Sequence, residues 1–150
     1  GLGDVYKRQR YGLQTHQLEV EIGEDCLMSN LEEAAKQLKL LRRIGVRIAL
    51  DDFGAGQCSL SHLRDLAFDT LKLDPQLVAR LPGSVRDTAM ARSIIELCGH
   101  FDVVVVAEGV ETQEQAQWLK AHGCPFIQGP WAAQPLMADE VLDWSRARMR

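Results

Sequence analysis

Residues Val103–Ala107 read VVVVA. Successive β-branched side chains are stiff at χ1 and suit a pleated strand better than a helix. The run has no apolar/polar alternation, so it predicts burial on both faces, the condition of a strand inside a helix-covered parallel sheet. That feature selects the α/β class, and the rest of the chain agrees with it.

Gln17–Ile22 (QLEVEI) alternates as a strand does, and Val46–Leu50 (VRIAL), Thr70–Leu73 (TLKL) and Phe126–Gln128 are further short strands. Between them, Leu31, Ala34, Ala35, Leu38 and Leu41 recur at helical spacing after a Ser29–Glu32 capping box, with Gly45 as the stop. Leu60–Leu66 reads as a short helix. Val85–His100 reads as a longer one, with Ile94, Leu97, Cys98 and Phe101 on its apolar side. A helix opening at Thr112 ends near Gly123, and Met137–Met149 forms the last. Strands alternate with helices through five strands and no linker interrupts them, so one α/β domain with a parallel sheet is expected. Periodicity alone does not separate a barrel from an open sheet.

In parallel α/β folds, ligands gather at the carboxyl ends of the strands. The polar residues fall there. Glu21 ends the first strand, Asp51 and Asp52 follow the second, and Lys72 and Asp74 end the third. Glu108 and Glu111 follow the fourth, and Gln128 ends the fifth. Any one acid at a strand end is ordinarily a cap or a solvated loop residue. Five strands delivering such groups to one edge point to a site. Clustered carboxylates repel unless a cation neutralises them, and hard oxygen ligands favour Mg2+ or Mn2+ over zinc. Adjacent aspartates can bridge two ions, a pair suited to in-line displacement at a phosphodiester, with a neighbouring lysine stabilising the developing charge.

The bulk properties narrow the partners. A net charge of −4 leaves no basic footprint and argues against duplex nucleic acid. The apolar runs are too short to span a bilayer, and no charged-then-apolar leader opens the chain, so a cytoplasmic setting is expected. Cys26, Cys58, Cys98 and Cys124 have no metal-ligand spacing and are expected to be reduced and mostly buried. His16, His62, His100 and His122 likewise lack ligand spacing and are assigned to the surface or to caps. The Asp52-Phe53-Gly54 triplet is not a kinase signature, because no kinase glycine-rich loop or HRD segment accompanies it. Gly1–Gln9 (GLGDVYKRQ) carries no structural period, and Asp4–Gln9 matches the translation of a transposon-end sequencing adaptor. It is read as a non-native scar, with residues 10–150 as the domain.

The segment Asp51–Leu60 (DDFGAGQCSL) resembles the DDFGTGYSSL loop of EAL domains, and Ala107–Thr112 matches the AEGVET motif of that family. Glu19–Glu24, Leu71–Asp74 and the Gly123-Cys124, Gln128-Gly129 and Pro135-Leu136 pairs resemble further family segments, in order, over about residues 11 to 145. The resemblance implies a TIM-like (β/α) barrel with one antiparallel strand near its start. It implies metal-dependent hydrolysis of cyclic-di-GMP to linear pGpG, using two Mg2+ or Mn2+ ions. It gives Glu21, Asp51, Asp52 and Glu108 metal-ligand roles, with Asp51 bridging. Lys72 would hold the attacking water, Glu111 and Gln128 would support the site, and Glu24 would brace the DDFG loop. A homodimer and upstream GGDEF or sensory domains are also implied.

Ala55, Gln57 and Cys58 depart from the family's Thr, Tyr and Ser in a loop that couples metal binding to dimerisation. Trp131 replaces part of an aromatic-Leu-Phe run and is expected to pack at the barrel mouth. A TIM barrel needs about 250 residues, so this chain is expected to carry about five C-terminal strand-helix units. The Glu-Ala-Leu signature, a substrate arginine and an asparagine ligand would lie outside it. The fragment alone is therefore expected to be poorly soluble and inactive, and its parent active. A degenerate domain that senses cyclic-di-GMP, or a protein-interaction module, is the alternative.

Overall fold

Five strands lie side by side in chain order, every pair parallel, in a computed structural model that describes residues 12–54, 66 and 68–148. They are β1 (Glu19–Gly23), β2 (Arg47–Phe53), β3 (Thr70–Leu73), β4 (Val104–Ala107) and β5 (Phe126–Ile127). The helices are α1 (Glu24–Ser29), α2 (Leu31–Arg43), α3 (Pro75–Ala79), α4 (Val85–His100), α5 (Gln113–Ala121) and α6 (Glu140–Arg148). The Gly1–Gln9 segment, His62, Ala55, Gln57, Cys58 and, apart from Leu66, the expected Leu60–Leu66 helix lie outside the described residues.

Periodicity located the long elements well. Helix α4 and strand β3 have the expected bounds. Two short helices, α1 and α3, were not expected, because six and five residues are too few to display a period. Helix α3 is set by local chemistry instead: Pro75 occupies its first turn, and Asp74 Oδ1 accepts from the Gln76 and Leu77 amides at 2.7 and 3.1 Å. The cap of α2 is Asn30, whose side chain accepts from Glu33 N at 3.2 Å, not Ser29. Ser29 is the last residue of α1 and donates to Cys26 O at 2.7 Å. The helix expected to open at Thr112 does so, with Thr112 as its cap in a capping box with Gln115.

Register divides the sheet into two unlike faces. Paired residues in a parallel sheet share a face, and neighbours along a strand alternate. Ile48, Leu50, Leu71, Leu73, Val105 and Ala107 lie on one face, all buried, in one cluster with Leu27, Leu38, Leu77, Ile94 and Leu119 of the helices. The other face carries Glu19, Glu21, Arg47, Ala49, Asp51, Thr70, Lys72, Val104 and Val106. Val104 and Val106 are only half-buried there, so the two-sided burial expected of VVVVA holds on the helix side alone.

The helix-covered face therefore carries the stability. Leu71→Ala removes a fully buried side chain and is expected to cost about 2–5 kcal/mol. Val106→Ala, on the half-open face, is expected to cost about 1 kcal/mol or less. Urea unfolding of the two variants checks this; equal losses would contradict the assignment of faces.

Candidate active site

The open face is polar in two layers, because the Glu19-Val20-Glu21 alternation projects both acids from the same side of β1. In the lower layer, Thr70 Oγ1 donates to Glu19 Oε2 at 2.7 Å, and Arg47 Nε lies 3.5 Å from the same oxygen. The sequence reading passed over this layer, although its alternation signalled it. In the upper layer the Lys72 ammonium lies 2.6 Å from Glu108 Oε1, 3.0 Å from Glu21 Oε1 and 3.5 Å from Asp51 Oδ1. The lysine side chain is 8% exposed.

A bulge in β2 brings in a further acid. Ala49 and Leu50 pair with Thr70 and Leu71, but Phe53, not Asp52, pairs with Leu73. Two aspartates therefore stand opposite the single Lys72, and Asp52 takes a left-handed backbone conformation at φ 56°. The aspartates belong to the strand rather than following it as expected. Ligand oxygens of Asp51, Asp52 and Glu108 come within 4.8 Å of one another, which fits one hard divalent cation.

The electrostatics bear this out. Burial pulls Lys72 down, but the hydrogen bonds it donates to Glu108 and Glu21 outweigh it, and the net shift is upward; the lysine stays charged. Burial pushes Glu108 up, as does Asp51, against the pull of Lys72. Asp52 is raised first by lost solvation, then by the Asp51 and Asp74 charges, against Lys72. Negative charge thus remains uncompensated around Asp52.

Not every expected residue joins the cluster. Glu24 is buried, and its Oε2 accepts from Gly54 N at 3.3 Å, on the loop that follows the aspartates. Glu111 is exposed, and its amide donates to Gln115 Oε1 at 2.9 Å. Gln128 acts through its backbone, donating to Ala107 O at 2.8 Å and accepting from Val110 N at 3.0 Å. These two bonds tie the chain after β5 to the Glu108–Val110 turn. Two glycines make the turn possible. A Cβ on Gly109, at φ 68°, would lie 2.7 Å from Pro75 Cβ, and one on Gly129 would strike the Val110 backbone. Trp131 is half-exposed beside Gln113, Ala116, Cys124 and Ile127, where it lines a separate cleft. Cys98 and Cys124 are buried, Cys26 is exposed, and these three are free. His16 and His100 are exposed, and His122 stacks on Trp118 with 4.0 Å between ring centroids. Among the described residues no helix is long and apolar enough to cross a membrane.

A family model described as EAL domain matches residues 4–135. The cyclic di-GMP phosphodiesterase NbdA of Pseudomonas aeruginosa is 38% identical over 139 residues, 93% of this chain and 18% of that protein. The chain thus spans under a fifth of that relative's length. The crystal structure of the EAL domain of Mycobacterium smegmatis DcpA superposes with a TM-score of 0.82 at 37% identity, over 89% of this chain and 60% of that one. A manganese/cy-diGMP complex of Klebsiella pneumoniae BlrP1 superposes at 0.75 with 37% identity, over 79% of this chain and 30% of that one.

Two outcomes follow from the geometry. Gly109→Ala is expected to lose about 2 kcal/mol or more in thermal unfolding, because Pro75 cannot rotate away and the left-handed backbone disfavours a Cβ. Asp52→Asn tests the charge. The folded chain holds the Asp52 proton more tightly than the unfolded chain, so metal-free stability is lost as pH rises from the ordinary value of 3.8 upward. The asparagine variant, whose side chain tolerates positive φ, should melt higher than the parent in chelator at neutral pH, and equally at about pH 3.

Proposed function

Because this chain belongs to the EAL domain family, we propose that it supplies much of the active site for hydrolysis of cyclic-di-GMP to linear pGpG. The fold is α/β and comprises part of the TIM-like barrel of its structural neighbours. The observation that carries the reading is the convergence of Glu21, Asp51 and Glu108 on Lys72, with Asp52 alongside.

Glu21, Asp51, Asp52 and Glu108 would hold Mg2+ or Mn2+, and the hard oxygen donors of the Asp51, Asp52 and Glu108 group suit either ion. When bound, such ions supply Lewis acidity at the phosphodiester and a water acidic enough to attack it. Lys72 holds that water by donating a hydrogen bond to its oxygen, and steadies the charge that grows on the phosphoryl oxygens. Attack forms one P–O bond and breaks the bond to the ribose 3′ oxygen, which leaves with a proton. Gln115 fixes the turn that presents Glu108, and Glu24 fixes Gly54 beside the aspartates. Glu111 and Gln128 support the site through that turn. A homodimer and upstream GGDEF or sensory domains would accompany this site under the same reading.

In the intact domain, cyclic-di-GMP turnover followed by chromatography should stop in chelator and return with Mn2+ or Mg2+. Lys72→Ala should lower kcat about 100- to 1000-fold. Turnover unaffected by chelator would sink the metal reading; binding without turnover would favour a sensor.

A further inference from the structure

We propose that Lys72 is a built-in counter-ion, holding Glu21, Asp51 and Glu108 together in the metal-free site and yielding their oxygens to an arriving divalent cation. This rests on the metal reading above. An ammonium carries three donors and no acceptor, and three carboxylates face it here, at 2.6, 3.0 and 3.5 Å. In the metal-free site its donors are thus committed to acids, and its side chain is 8% exposed, so bulk water has little access to it until an ion takes those acids over.

The set held by Lys72 and the set suited to a cation overlap but are not the same. Asp51 and Glu108 belong to both. Asp52 belongs to the cation set, and among the described residues it forms no ion pair with Lys72. Asp51 Oδ1 already serves two donors, the Lys72 ammonium and the Asp52 amide at 3.1 Å. A divalent ion coordinated by Asp51 and Glu108 would stand within a few ångströms of the ammonium, and the two cations would repel. Lys72 and the ion therefore draw on the same negative charge. Asp52, exposed and uncommitted to the lysine, is where the ion first gains a ligand.

The test follows the Lys72 ammonium by proton–nitrogen NMR in the full chain, together with Lys72→Met. In chelator the ammonium should give a protected signal. Saturating Mg2+ should shift that signal and speed exchange of its protons. Lys72→Met should melt lower than the parent in chelator, gain more from Mn2+ than the parent does, and bind Mn2+ about tenfold more tightly by electron paramagnetic resonance. A signal unmoved by Mg2+, or a variant binding Mn2+ no more tightly, overturns the proposal. If Lys72→Met does not fold, the parent's spectrum decides alone. Absence of Mg2+ binding by the parent would sink the metal reading and the handover with it. Mg2+ binding beside an unmoved Lys72 would sink this inference only.

Discussion

One positive charge organises the polar face of this molecule. The Lys72 ammonium on β3 joins Glu21 on β1, Asp51 on β2 and Glu108 after β4, so a single side chain ties four neighbouring strands at their carboxyl ends. Without it, three acids would face one another across a surface partly withdrawn from water. Removing the lysine would leave Glu108 and Asp51 partly desolvated and unpaired, which destabilises the fold. Coulombic tension of this kind is a poor source of stability and a good source of reactivity. The apolar face explains how the molecule sustains it: Leu50, Leu71, Leu73, Val105 and Ala107 bury completely or nearly so against helices, independently of the charges behind them.

The division of labour between the faces also explains which features were legible beforehand. VVVVA specified a strand through its β-branched side chains, while TLKL and the Val85–His100 helix were readable from their apolar spacing, because burial against a single layer imposes a period on the sequence. The convergence on Lys72 followed from a general property of parallel sheets, that residues ending successive strands meet at one edge. The family motifs DDFG and AEGVET then supplied the substrate class, which spacing alone did not.

Other features left no readable period. The α1 helix follows β1 without a connecting loop, and α3 is a single capped turn, so neither repeats an apolar position often enough to be counted. Glu111 and Gln128 were placed correctly along the chain, yet their role in the geometry runs through backbone bonds that composition does not encode. The β2 strand continued through both aspartates because a bulge, not a turn, accommodates them. Charge made Asp51-Asp52 look like loop; the pairing of Asp51 with Gly23 and of Phe53 with Leu73 made it strand.

That bulge has a consequence best stated as parity. A strand alternates its side chains, so two adjacent residues ordinarily face opposite ways, and a pair of neighbouring aspartates would be split between site and core. The bulge absorbs the extra residue between Leu50 and Phe53, so Phe53 keeps the helix side while both acids stay beside Lys72. The strand thus carries one acid more at the site than alternation alone would place there. Exchanging either aspartate for another polar residue changes the chemistry and leaves the count intact. Deleting one removes the bulge and restores plain alternation, with Phe53 still opposite Leu73 and a single acid left beside Lys72. A substitution or a one-residue deletion here can therefore silence such a site while the barrel wall persists.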